Sequence, residues 1–276
     1  MCRWLAYYGS PLPLEEVLFK RDRSLVDQSL HSRLGATTTN GDGFGVGWYE
    51  TSERPYTYRS AHPAWNDRNL RELAASVSSP LFMAHIRAST GSAVQETNTH
   101  PFRHGNWLWM HNGLIRDFPK VVRELRLAVD PSLYPSIEGT TDSETMFYLA
   151  LTFGLEDDPG GAVERMVGFV EATGRKHGIE NPIQMTVATS DGRSLWAFRY
   201  SSEHDSRSLF FSTRLDVLRE LHPEVAELQQ LSDESRLVVS EPLGDLEGAW
   251  NEVPESSWGV VHEGQDEIHP FTPRSP

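Results

Sequence analysis

The chemistry of this chain starts from one sulfur. Cys2 is the sole cysteine among 276 residues. A free cysteine is most often a small buried apolar residue. Position 2 changes that weighing. If Met1 is removed, a thiol with an ordinary pKa near 8.5 and an α-amine with one of about 7.7–8.0 share a single residue. A general base works best near the working pH, so one residue can hold both nucleophile and base. A thiol that attacks a carbonyl also needs donors for the oxyanion. Asn112 offers a side-chain amide and Gly113 a backbone N–H that can be closely approached. Such a donor lowers the barrier by about 3–4 kcal/mol. Asn-Gly is equally the favoured pair of a hairpin turn, and that reading stays open.

Two further groups could hold a substrate. Arg87 ends the apolar run Leu81–Ile86 and precedes Ser89 and Thr90. It suits bidentate binding of a carboxylate, or an ordinary surface ion pair. Asp142 sits in the first turn of a helix, where a carboxylate complements the helix N-terminus. Paired with Arg87, it could hold an ammonium group while the arginine holds a carboxylate. His85, His100, His104 and His111 lie close in sequence but match no compact ligand spacing, so no metal is expected. Gly41, Gly43, Gly45 and Gly47 do not have dinucleotide-loop spacing, and no cofactor is expected.

The elements that must position these groups can be read coarsely. Residues 2–8 form a strand. Pro13 opens a helical stretch with Leu14, Val17 and Leu18 on one face. The run 43–49 alternates glycine with large residues, a strand that another backbone or a ligand can approach. A helix carries Leu70, Leu73, Ala74 and Val77. Residues 81–87 and 106–111 are strands, the second with Trp107 and Trp109 on one side. Thr141-Asp142-Ser143-Glu144 has the form of a capping box, and Gly154 can end its helix. Val163, Met166, Val167 and Val170 mark another helix. Beyond residue 183 strands dominate, with an Asp191-Gly192 hairpin turn. Helices are grouped rather than alternating with strands. That favours antiparallel sheets covered by helices, an α+β layered domain.

Composition narrows the partners. Lys plus Arg is 25 and Asp plus Glu is 39, a net charge of −14. Such a surface repels nucleic acid and anionic membranes. With one cysteine there is no internal disulfide, and no run of 18 apolar residues spans a membrane. The first residues lack a secretory leader, so the expected setting is cytoplasmic. The proline-rich end, 263–276, is expected to be a loose tail after a domain spanning 2–262.

Taken in order, Cys2-Arg3-Trp4-Leu5, Asn40–Gly45, His85–Thr90, Asn98–Phe102, His111-Asn112-Gly113 and Thr141–Glu144 resemble the class II glutamine amidotransferases, which are N-terminal nucleophile hydrolases. The run 237–243 is similar to a late strand in the stand-alone members. The resemblance implies a four-layer αββα sandwich of two antiparallel sheets. It implies Cys2 as nucleophile with its own amine as base, and Asn112 with Gly113 as oxyanion hole. Arg87 would hold the substrate carboxylate and Asp142 its amine, with Thr90 and His100 in supporting roles. The implied reaction is hydrolysis of a γ-glutamyl amide, glutamine or a conjugate, through a γ-glutamyl thioester. Ala88 stands where larger members often carry an aromatic residue, and the 40–45 loop lacks their Arg-Gly-x-Asp form. Both differences bear on the pocket lid. At this length no synthase domain is expected. The expectation is a free-standing γ-glutamyl hydrolase, like those of ergothioneine biosynthesis and glutathione breakdown. The alternatives are an ammonia-donating subunit beside a separate synthase or peptidase, and a catalytically idle domain that keeps Met1 and binds a γ-glutamyl ligand or a protein. A papain-like hydrolase with a histidine base is a further option.

Overall fold

The computed structural model describes residues 2–31, 39–50, 54–89, 91–263 and 266–276. In chain order the main elements are β1 (Arg3–Pro13), α1 (Glu15–Leu18), α2 (Leu25–Leu30), β2 (Phe44–Tyr49), β3 (Tyr56–Ser60), α3 (Arg68–Ser76), β4 (Ser78–Ile86), β5 (Phe102–His104), β6 (Trp107–Ile115) and α4 (Phe118–Leu127). There follow α5 (Asp142–Thr152), α6 (Pro159–Lys176), β7 (Ile183–Ser190), β8 (Leu195–Ser201), β9 (Phe210–Ser212), α7 (Leu215–Leu221), β10 (Arg236–Val239), β11 (Trp250–Glu252), β12 (Ser257–Val261) and β13 (Glu267–Pro270).

Among the described residues these strands form two antiparallel sheets, ordered β11-β9-β10-β1-β4-β2-β3 and β13-β12-β8-β7-β6-β5. Alternation of side chains along the strands builds three cores. Leu5, Tyr7, Phe82, Ala84 and Val46 turn outward from the first sheet onto α1, α2 and α3. Trp4, Ala6, Leu81 and Met83 turn the other way and meet Leu108, Met110 and Ala188 of the second sheet. Trp107, Trp109, Met185 and Val187 face outward onto α5 and α6. The result is helix, sheet, sheet, helix, the αββα sandwich expected from the sequence. The glycines of β2 serve close packing. A Cβ at Gly45 would lie 2.2 Å from the His100 carbonyl oxygen.

Two expectations need correction. Asn112 and Gly113 do not form a turn. Strand β6 runs through them to Ile115 because β7 pairs with it along its length, from Leu108↔Ser190 to Ile115↔Ile183. Nor is the C-terminal stretch loose. Strand β13 pairs with β12, and Phe271 is buried against Phe198 and Tyr200. The Thr272 amide donates to Glu164 on α6 at 3.0 Å. The Arg274 guanidinium meets the same buried carboxylate at 2.7 Å. Its prolines suggested disorder, but Pro270 lies in β13 and Pro273 and Pro276 lie outside any helix, where proline is tolerated.

Candidate active site

Cys2 precedes β1, which lies inside the first sheet between β4 and β10. The segment carrying it is anchored on several sides. The Arg3 guanidinium pairs with Glu241 at 2.8 Å, both groups buried, and donates to the Cys2 carbonyl at 2.9 Å. The Trp4 amide donates to the Ser240 hydroxyl at 3.0 Å. The Trp4 indole N–H reaches Thr186 of the facing sheet at 3.2 Å. The Cys2 thiol sits against Ala88, just past β4: it donates to the Ala88 carbonyl at 3.6 Å and accepts from the Ala88 amide at 3.5 Å. Burial pushes the thiol pKa up, opposed by the Ala88 hydrogen bond. The resting group is therefore a neutral thiol, and it needs a base to become a nucleophile.

The donors come from the second sheet. The Asn112 amide nitrogen lies 3.1 Å from the Cys2 carbonyl oxygen, which brings the side chain to the residue that bears the sulfur. Gly113 has φ +152°, and a Cβ there would stand 1.9 Å from the Gln184 carbonyl oxygen. Both the backbone conformation and the lack of room demand glycine.

Arg87 is gripped by Asp42 and Gly43 on one side and by Ser89 and Ser92 on the other. Its backbone amide donates to the Gly43 carbonyl at 2.8 Å, and its carbonyl accepts from the Asp42 amide at 3.1 Å. The guanidinium donates to the Asp42 carbonyl at 3.3 Å, the Ser89 hydroxyl at 3.3 Å and the Ser92 hydroxyl at 2.6 Å. The Asp42 carboxylate caps the Ser89 amide at 2.8 Å. Asp142 opens α5. Its two oxygens accept from the Ile115 and Ser143 amides, each at 2.8 Å. Thr141 does cap this helix through the Glu144 amide. Glu144 departs from the expected box: its carboxylate takes the Glu138 and Gly139 amides instead. Asn98 ties the same loop down, accepting from the Thr140 amide at 2.8 Å.

Cys2, Arg87, His100, Asn112, Gly113 and Asp142 line one pocket. Of the residues expected from sequence, Thr90 lies outside the described residues. His100 is buried, with its ring centroid 4.1 Å from that of His85 and 4.5 Å from that of Phe102, both pairs tilted. Neither of its ring nitrogens has a hydrogen-bond partner among the described residues. Burial holds its pKa well below the usual value, reinforced by the neighbouring histidines. Desolvation likewise takes His85 down to about 3. His111 is lowered by burial and hydrogen-bonds the Ser143 hydroxyl at 2.8 Å. Among the described residues no group of His, Cys, Asp or Glu is arranged to hold a metal, and no helix is long and apolar enough to cross a membrane.

The pocket also contains groups that the sequence did not single out: Ser92, Ser143 and Arg207. Asp42 and Ser92 support Arg87 from outside its strand, and only the three-dimensional arrangement shows them beside it. Arg207 belongs to the irregular segment between β8 and β9, which carries no motif.

A family model described as glutamine amidotransferases class-II matches residues 19–274. A probable glutamine amidotransferase of Saccharomyces cerevisiae is 33% identical over 98% of this chain and 84% of its own length. A γ-glutamyl-hercynylcysteine sulfoxide hydrolase of Mycolicibacterium smegmatis is 25% identical, covering 98% of this chain and 100% of that one. Among solved structures, a class-II domain protein from Silicibacter pomeroyi aligns with TM-score 0.76 and 32% identity over 99% of this chain and 100% of that one. The glutamine phosphoribosylpyrophosphate amidotransferase of B. subtilis aligns with TM-score 0.66 at 13% identity, over 99% of this chain and 50% of that one, a likeness of fold alone.

Proposed function

The chain belongs to the class II glutamine amidotransferases, and on that premise we propose that this enzyme hydrolyses a γ-glutamyl amide at Cys2. The observation that carries the proposal is the convergence of a thiol, two kinds of N–H donor, a guanidinium and a carboxylate on one pocket. The last two are opposite in charge, and they match the α-carboxylate and α-ammonium of a glutamyl group.

The steps follow from the groups. With Met1 removed, the Cys2 amine takes the thiol proton directly or through one water. The sulfur forms a bond to the γ-carbonyl carbon, and the carbonyl oxygen becomes an oxyanion facing the Asn112 amide and the Gly113 N–H. Collapse breaks the carbon–nitrogen bond, and the proton passes to the departing nitrogen. Ammonia or an amine leaves, and Cys2 carries a γ-glutamyl thioester. Water then adds to the thioester, giving its proton to the amine. The carbon–sulfur bond breaks, and glutamate and the free thiol are restored. Arg87 and Asp142 hold the glutamyl end throughout. The hydrolase reading is supported by the likeness to the γ-glutamyl-hercynylcysteine sulfoxide hydrolase of Mycolicibacterium smegmatis, whose whole length is matched.

The test is an intact-mass measurement after treatment with 6-diazo-5-oxo-L-norleucine, a glutamine-like electrophile. The expected mass lacks Met1 and gains one adduct, and Cys2→Ala gains none. A retained methionine, or a chain that stays unlabelled, would overturn the proposal.

A further inference from the structure

Hydrolysis of glutamine itself uses one guanidinium, for the single carboxylate of the substrate. The pocket holds a second. Arg207 lines it beside Cys2, is half-buried, and makes no hydrogen bond or ion pair through its guanidinium with any described residue. Its charged neighbour Arg3 has the same sign, and Arg3 already pairs with Glu241. A half-buried cation without a counterion loses hydration and gains nothing from the protein in return, so its natural partner is an anionic ligand.

Strand order gives the direction. Arg87 follows β4, on one side of β1, while the Arg207 segment is fastened to β10, on the other. The Ser208 hydroxyl donates to the Ser240 carbonyl at 2.9 Å, and the Ser240 amide donates to the Trp4 carbonyl of β1 at 3.0 Å. The segments that carry the two arginines thus lie on opposite sides of β1, and both side chains line the pocket that holds Cys2. A glutamyl group with its α-carboxylate on Arg87 and its γ-carbonyl at Cys2 directs whatever lies beyond the scissile bond toward Arg207. We propose that Arg207 binds a carboxylate on the leaving amine, so that the preferred substrates are γ-glutamyl amino acids or peptides rather than glutamine. This rests on the hydrolase reading above and specifies its substrate class.

The test uses a matched pair, γ-glutamylglycine and γ-glutamylglycinamide, which differ in that carboxylate. The wild type should favour the acid at least about tenfold in kcat/KM, or about 1.4 kcal/mol. Arg207→Met should bring the ratio to within about twofold of one, through KM for the acid. Arg207→Lys, which keeps the charge but not the fork, should retain part of the preference. Comparing the ratio between variants cancels the different leaving ability of the two amines. A wild type that treats both alike, or a preference untouched in Arg207→Met, would overturn the assignment of Arg207 while leaving γ-glutamyl hydrolysis standing. A wild type that cleaves neither compound nor glutamine would instead remove the hydrolase reading on which it rests.

Discussion

Acid should weaken this fold through His85 by an amount that can be worked out. The ring is fully buried between the sheets, and desolvation takes its pKa to about 3. In the unfolded chain it titrates near 6.5. The folded pKa is thus below the unfolded one. The stabilisation is present above about pH 6.5 and is lost as pH falls toward 3, because only the unfolded state takes up the proton. Between pH 7 and pH 5 the loss is about 2 kcal/mol, about 25-fold in the unfolding constant. His100 and His111 are shifted in the same direction by burial and add to the effect. The assay is urea unfolding at both pH values, for the wild type and for His85→Gln. Carboxylates also respond to acid, but they do so in both proteins. The wild type should lose about 2 kcal/mol more than the variant over this interval. Equal losses would refute the reasoning, as would a His85 ring resonance that titrates above pH 5.

Three other outcomes are expected. Gly113→Ala puts a methyl group 1.9 Å from the Gln184 carbonyl oxygen, so β6 and β7 must part at the pocket. Turnover should fall by about 100-fold, as for an ångström-scale misplacement of reacting groups, and near-wild-type kinetics would contradict this. Glu241→Ala takes the carboxylate from the buried Arg3 guanidinium and should cost about 3–5 kcal/mol in urea unfolding. A cost below 1 kcal/mol would mean that the pair does not anchor the Cys2 segment. The rate of γ-glutamyl hydrolysis should decline about tenfold per pH unit below the amine pKa of about 7.7–8.0, and a flat profile between pH 7.5 and 6 would exclude the amine as base.

Much of the lining of the candidate pocket was legible because those residues sit in short, distinctive runs. Cys2 stands out by position, and Arg87, Asn112, Gly113 and Asp142 each end or interrupt a recognisable pattern. The strands of both sheets were visible where burial on two faces made them aromatic and aliphatic, as in 43–49 and 81–87. What escaped was set by long-range contact. Asn112-Gly113 has the local chemistry of a turn, yet pairing with β7 holds it extended. Strand β5 is three residues long and exists because β6 lies beside it. Helix α4 begins after Asp117 in a left-handed conformation and carries few buried residues, so its apolar stripe is thin. Arg207 has no pattern around it. Its place in the pocket is set by β10 and β1, about 30 residues downstream and some 200 upstream in the chain.

The clasp between the last residues and Glu164 decides where this protein can be handled. Cys2 lines the pocket, so a reporter or surface tether belongs on the side of the clasp, at the exposed Pro276. Shortening the chain there is a different matter. A version stopped at residue 266 would uncover Phe271's seat and strip a carboxylate that is 3% exposed of its amide and guanidinium partners. The helical layer over the second sheet would then open from its C-terminal side, over the sheet whose strand β6 carries Asn112 and Gly113.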